Sequence, residues 1–187
     1  MTVTRPAAVL DANVLYPARL RDLFLRLAIA GLYRALWTER ILDECFDNLL
    51  ADRPDVPAEY LHRTRRLMTV AVPDAVVEDY DHLIDDLDLP DPDDRHVLAA
   101  AVAASAGLIV TGNLTDFPPA AIPAGITVLS PDAFVLRLIQ ADIDAVATVV
   151  DQQAGALRNP PMTTAELLAG LAIVGLRQSV DALRGAT

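Results

Sequence analysis

Carboxylates recur at four places where this chain passes between an apolar run and a helix-forming stretch. They are Asp11 in VLDANVLYP, Glu44 in ILDECFDNLL, the group Asp91, Asp93 and Asp94 in LPDPDDRHVLAAA, and Asp116 in LIVTGNLTDFP. Drawn onto one edge of a sheet, such acids repel one another unless a divalent cation sits among them. The accompanying donors are not soft: Cys45 is the single cysteine, and His62, His82 and His96 form no HxxxH or HExxH pair. An all-oxygen donor set selects Mg²⁺ or Mn²⁺ over zinc or copper. A cation of that kind lowers the pKa of a bound water and stabilises charge growing on a phosphoryl oxygen, which suits phosphodiester hydrolysis. Any one of these acids alone is an ordinary turn or cap residue. Their recurrence at four element boundaries is what points to a site.

The elements that must position these acids alternate in type. Residues 7–10 (AAVL) read as a short buried strand ending at Asp11. A helix follows, carrying Leu20, Leu23, Phe24, Leu27 and Ala28 on one face, with Gly31 near its end. A second helix starts at Thr38 as N-cap and runs to about Leu50, with Ile41, Leu42, Cys45, Phe46 and Leu49 facing inward. At 100° per residue Glu44 lies on the margin of that stripe, whereas Asp43 and Asp47 turn towards solvent. A third helix spans roughly 58–70 and carries Arg63, Arg65 and Arg66. Residues 75–77 read as a possible strand. Pro90 and Pro92 set Asp93 and Asp94 at the start of an alanine-rich helix ending near Gly107. Leu108–Thr111 (LIVT) and Ile126–Leu129 (ITVL) complete the strands, and continuous apolar runs of this kind belong in a parallel sheet.

This alternation predicts a three-layer α/β domain over residues 1–130, with ligands at the carboxyl ends of the strands. Beyond Ser130 the pattern is helical only: about 131–139, about 143–157, a break at Asn159-Pro160-Pro161, and a helix opened by a Thr163/Glu166 capping box. Residues 131–187 therefore form an all-helical extension that packs on the body or on a partner.

The chain has 187 residues, 53% hydrophobic and 5% aromatic, which fits one compact domain with an appendage. No apolar run reaches membrane-spanning length, and the amino terminus lacks the pattern of a secretory signal. A cytoplasmic protein is expected. The formal charge of −11 argues against a surface that coats nucleic acid, though not against an enzyme that cuts it. All 15 basic residues are arginine, which removes every mechanism needing a lysine ammonium.

Taken in order and spacing over residues 7 to about 130, the four motifs resemble the PIN-domain ribonucleases, particularly VapC-type toxins of bacterial toxin–antitoxin systems. The tail with ALRNPPMTTAELL is similar to an extension carried by a subset of them. The resemblance implies a short parallel sheet flanked by helices, Mg²⁺- or Mn²⁺-dependent endonuclease cleavage of RNA, frequent homodimers, and a cognate antitoxin that blocks the site. It assigns Asp11, Glu44, Asp94 and Asp116 to the acidic quartet, with Asn13 and Asn113 as polar neighbours. Asp11, Asp94 and Asp116 would hold the cation while Glu44 orients or deprotonates the attacking water. Asp93 stands as the alternative to Asp94. Arg19, Arg21 and Arg95 are candidate RNA contacts.

Two other readings fit parts of the pattern. VLDANV approximates the nucleophile motif of haloacid-dehalogenase-like phosphatases with Asp11 attacking phosphorus, but position 13 is Asn where that family has an acid, and the lysine it uses is absent. A PIN-like fold turned into a non-catalytic partner-binding module would keep the helical tail as its interface.

Overall fold

The computed structural model describes residues 5–185. The extreme amino terminus on which the signal reading partly rests, and the last two residues of the extension, lie outside that range. Four parallel strands form the sheet: β1 (Ala7–Leu10), β2 (Arg34–Leu36), β3 (Leu108–Val110) and β4 (Thr127–Leu129), in the order β2-β1-β3-β4. The register pairs Val9 with Leu36 on one side and with Ile109 on the other, and Ile109 with Val128. Ala8, Val9, Leu10, Ile109 and Val110 are fully buried, as parallel strands covered by helices on their faces must be.

Helices α1 (Ala12–Leu15), α2 (Ala18–Ile29), α3 (Glu39–Asp52), α4 (Ala58–Ala71) and α5 (Arg95–Ala103) flank this sheet. The Thr38 hydroxyl accepts from Ile41 N and starts α3. Helix α5 stops short of Gly107: Ser105 takes φ 50° and Ala106 N returns to Ala101 O at 2.8 Å, so the left-handed cap comes before the glycine.

The strand expected at residues 75–77 does not form. Pro73–Ala75 closes a 3-10 turn, and Val76 makes only an isolated bridge to Trp37. The edge position beside β1 goes instead to Arg34–Leu36, which is too short to show a period of its own.

The helical tail consists of α6 (Pro131–Ala141), α7 (Ile143–Ala156), α8 (Thr164–Ile173) and α9 (Arg177–Gly185). It shares the core of the body. Phe134 of α6 stacks on Phe24 of α2 at 5.6 Å and meets Tyr33 edge-on at 4.9 Å, while the Tyr33 hydroxyl donates to Phe24 O. Asp132 ties the last helix down. Its carboxylate accepts from Gln178 N (2.9 Å), Ser179 N (2.9 Å) and Ser179 Oγ (2.7 Å), satisfying the free N–H groups at the start of α9 from another helix. Asp132→Ala leaves buried donors unpaired and should cost about 2–4 kcal/mol, lowering Tm by roughly 5–10 °C for a chain of this size. A thermal melt checks this, and an unchanged Tm would show that α9 docks without the cap.

Candidate active site

Strands β1 and β3 are neighbours, yet the chain leaves β1 towards β2 on one side and β3 towards β4 on the other. The crevice at their carboxyl ends is the switch point at which doubly wound sheets collect ligands. Asp11 follows β1 there and Thr111 follows β3, held together by the Asp11 N to Val110 O bond of 3.0 Å.

Asp11 is 4% exposed and both of its oxygens are engaged. Oδ1 caps α1 by accepting from Ala12 N at 2.6 Å; Oδ2 accepts from the Thr111 hydroxyl at 2.7 Å and from Asn13 Nδ2 at 2.5 Å. Asn13 Oδ1 in turn accepts from Gly112 N at 2.8 Å, stitching the loop after β1 to the loop after β3. Asn113 N donates to Thr111 Oγ1.

Glu44 comes from the second turn of α3. Its neighbours Asp43 and Asp47 are exposed, and Asp43 is occupied in a pair with Arg65 of α4. Glu44 Oε1 lies 2.9 Å from His96 Nε2 on α5 and 3.5 Å from Arg40 Nε one turn earlier on its own helix.

The third station arrives on the 3-10 turn Pro92–Asp94 that leads into α5. Asp91 is spent locally, accepting from Asp93 N at 2.9 Å. Asp93 and Asp94 both reach a cleft of about 570 Å³ together with Asp11, Asn13, Arg40 and Glu44. Asp93 is exposed whereas Asp94 is half-buried. Asp116 does not line this cleft. It sits on the 3-10 turn Leu114–Asp116, with its carboxylate taken by Asn113 Nδ2, but lies near enough to act on Asp94 through its charge.

The environments push these acids in different directions. Burial raises Asp11 despite the Thr111 and Ala12 hydrogen bonds, and the charge of Glu44 adds to the rise. Burial followed by repulsion from Asp11, Asp116 and Asp91 pushes Asp94 up to about 6, with His96 opposing. Burial alone would raise Glu44 as well, but its contacts with His96 and Arg40 outweigh it and hold that carboxyl below its usual value. Two acids are thus strained when ionised, and a third is stabilised by fixed partners.

Among the described residues, no three His, Cys, Asp or Glu side chains stand close enough to hold one ion by themselves. The donor chemistry nonetheless suits a hard cation: only oxygens face the cleft from Asp11, Asp93 and Asp94, and positive charge there would relieve the repulsion that raises Asp94.

Of the arginines nominated for RNA, Arg21 is corrected by the fold. It is 7% exposed, donates to the carbonyls of Leu15 (2.6 Å) and Tyr16 (3.2 Å), and lies over the Phe46 ring, so its donors close the end of α1. Arg19 is exposed but lies across Gly170 of α8, where a Cβ would collide with its guanidinium. Arg95 pairs with Asp88 at 3.3 Å. The arginine that does line the cleft is Arg40.

Sequence reasoning passed over Arg40, His96 and Thr111. Arg40 stands at i−4 from Glu44, and His96 and Thr111 lie inside motifs already singled out for their acids. No pairing among those segments could be read without the strand order.

Residues 7–115 match the family model described as a PIN domain, and residues 131–185 match that described as the VapC50 C-terminal domain. Over 79 residues the chain is 43% identical to a protein of Mycobacterium tuberculosis described as "Putative ribonuclease VapC50". That stretch covers 42% of this chain and 47% of the relative, so it spans about half the length of the curated protein it matches. No solved structure matches. With more than half of its length matched by the family model, on a parallel sheet that brings Asp11, Glu44 and Asp94 to one cleft, the chain belongs to the PIN-domain family.

Proposed function

We propose that this protein is a Mg²⁺- or Mn²⁺-dependent endoribonuclease acting as the toxin of a type II toxin–antitoxin pair, with RNA as substrate and a cognate antitoxin as partner. The observation that carries the reading is the meeting of Asp11, Glu44 and Asp94 from three separate segments on one cleft at the switch point, with Asp11 and Asp94 raised by burial and by other acids. The ribonuclease description of the Mycobacterium tuberculosis relative supports phosphodiester chemistry. Asp11, Asp94 and Asp116 are assigned to the cation, with Asp93 as the alternative at the third station. When bound, that cation supplies Lewis acidity and neutralises the cleft.

The side chains divide the remaining work. Asn13 and Thr111 fix the rotamer of Asp11, and Asn113 engages Asp116. Glu44, kept ionised by its partners, orients the attacking water and accepts its proton. Arg40 is the cation positioned to meet a phosphate at the cleft mouth. Residues 1–130 carry the chemistry, and 131–187 are an extension that buttresses α2. A cytoplasmic location and a homodimer accompany this reading. The described helices are none of them long and apolar enough to cross a membrane.

The test offers the purified protein a labelled single-stranded RNA and, separately, a small phosphate monoester, each with Mn²⁺ and with EDTA. Cleavage of RNA alone, and only with metal, is the expected result. Monoester turnover without RNA cleavage would move the assignment to a phosphatase, and cleavage undiminished by EDTA would remove the cation from it.

A further inference from the structure

His96 is 1% exposed on α5; its Nε2 lies 2.9 Å from Glu44 Oε1 without completing a hydrogen bond, and its Nδ1 has no hydrogen-bond partner either. An apolar side chain at this buried position would leave no unpaired nitrogen. Retaining an imidazole there calls for something besides packing. Arg40 Nε lies 3.5 Å from the same oxygen of Glu44. The nearest approach of each partner is to Oε1.

We infer that His96 is a positioning residue for Glu44: its Nε2–H, seconded by Arg40, holds Oε1 and leaves Oε2 as the atom presented to water in the cleft. The inference rests on the nuclease reading above and adds to it a residue pair and an atom. Geometry supplies the reason for two partners on one oxygen. Glu44 is long and half-exposed, and an unrestrained glutamate samples several rotamers, only some of which point an oxygen at the cleft. Arg40, on the same helix, restrains Glu44 along the α3 surface. His96 arrives from α5, the helix that Asp94 leads into, and so couples the position of Glu44 to that of the third acidic station. A donor that acts only by orienting a group beside the reacting centre should affect turnover more than substrate or metal binding.

The experiment combines a spectrum with kinetics. In ¹⁵N-labelled wild-type protein, the His96 ring should show a protonated Nε2 whose signal moves in Glu44→Gln. An unprotonated Nε2 would overturn the inference whatever the activity. In Mn²⁺-dependent RNA cleavage, His96→Phe should lower kcat by about 10–100-fold with KM and the half-saturating Mn²⁺ concentration changed less than about 3-fold. His96→Gln, which keeps an N–H donor, should recover to within about 5-fold of wild type. Full kcat in His96→Phe, or a folded His96→Gln as slow as His96→Phe, would overturn it. A wild-type protein that cleaves no RNA would instead sink the nuclease reading, and the ring spectrum would still decide the His96 contact.

Discussion

Asp11→Asn is expected to lose metal-dependent RNA cleavage by about 10³-fold or more, the loss of several kcal/mol of charge stabilisation at the reacting phosphate. It should nevertheless stay folded. Asparagine is as good an N-cap as aspartate, so the bond from Ala12 N survives. On the other oxygen the effects oppose each other. An amide nitrogen there cannot accept from Asn13 Nδ2, and the Thr111 hydroxyl must turn round to become the acceptor. Against that loss, a carboxylate raised by burial no longer has to be ionised in the fold. The sum should stay within about 2 kcal/mol of zero, which leaves Tm within several degrees of wild type. Two measurements check this together: RNA cleavage under saturating Mn²⁺, and the upward shift in Tm that Mn²⁺ gives wild-type protein by mass action. Both should vanish in the variant. Full cleavage by a folded Asp11→Asn would remove Asp11 from the chemistry.

Asp94→Asn, by contrast, should raise the stability of the metal-free protein. In metal-free protein Asp94 sits at about 6, well above the 3.8 of a free aspartate, owing to burial and then to Asp11, Asp116 and Asp91. The native state therefore binds more protons than the unfolded chain between those values, and unfolding free energy falls as pH rises through that window. Below about pH 4 both states are protonated and the penalty is absent; above about 6 it is fully present. Asparagine removes it. Because the side chain is only partly buried, solvent screens much of the effect, leaving on the order of 1 kcal/mol, or about 2–4 °C in Tm. In EDTA at pH 7.5 the variant should thus melt above wild type, and the gap should close by pH 4. Adding Mn²⁺ should reverse the order, since wild type gains a bound cation that the variant holds poorly. Melts at two pH values, with and without Mn²⁺, test all three statements. An Asp94→Asn protein less stable than wild type in EDTA at pH 7.5 would show that burial and the neighbouring acids do not penalise the ionised side chain. Melts of Asp93→Asn with and without Mn²⁺ separate the two candidates at the third station, because the variant that loses the Mn²⁺ shift lacks the cation's ligand.

How much of this was legible beforehand differs by element. Helix α3 was expected from Thr38 to about Leu50 and runs Glu39–Asp52; α4 was expected to span 58–70 and runs Ala58–Ala71. The capping box at Thr163 and Glu166 is formed. Such elements declare themselves because their signals, a cap and a 3.6-residue apolar stripe, lie within a few positions of one another. The β2 strand was missed for the converse reason. Three residues beginning with the exposed Arg34 carry no readable period, and only pairing with Ala7–Val9 makes them a strand. Val76 looked like a strand residue and is limited to one bridge by the Pro73–Ala75 turn before it.

The same divide runs through the cleft. Local order alone set the acids at element ends and turned Glu44 inward while Asp43 and Asp47 faced solvent, because phase on a helix is a short-range property. Tertiary structure alone decided that Arg21 is buried over the Phe46 ring while Arg40 faces the cleft, that Thr111 reaches across a hundred positions to Asp11, and that His96 of α5 meets Glu44 of α3. Which side chain meets which across such separations depends on strand order and helix packing. Those are settled by burying the whole core at once, and no window of neighbouring residues contains that information.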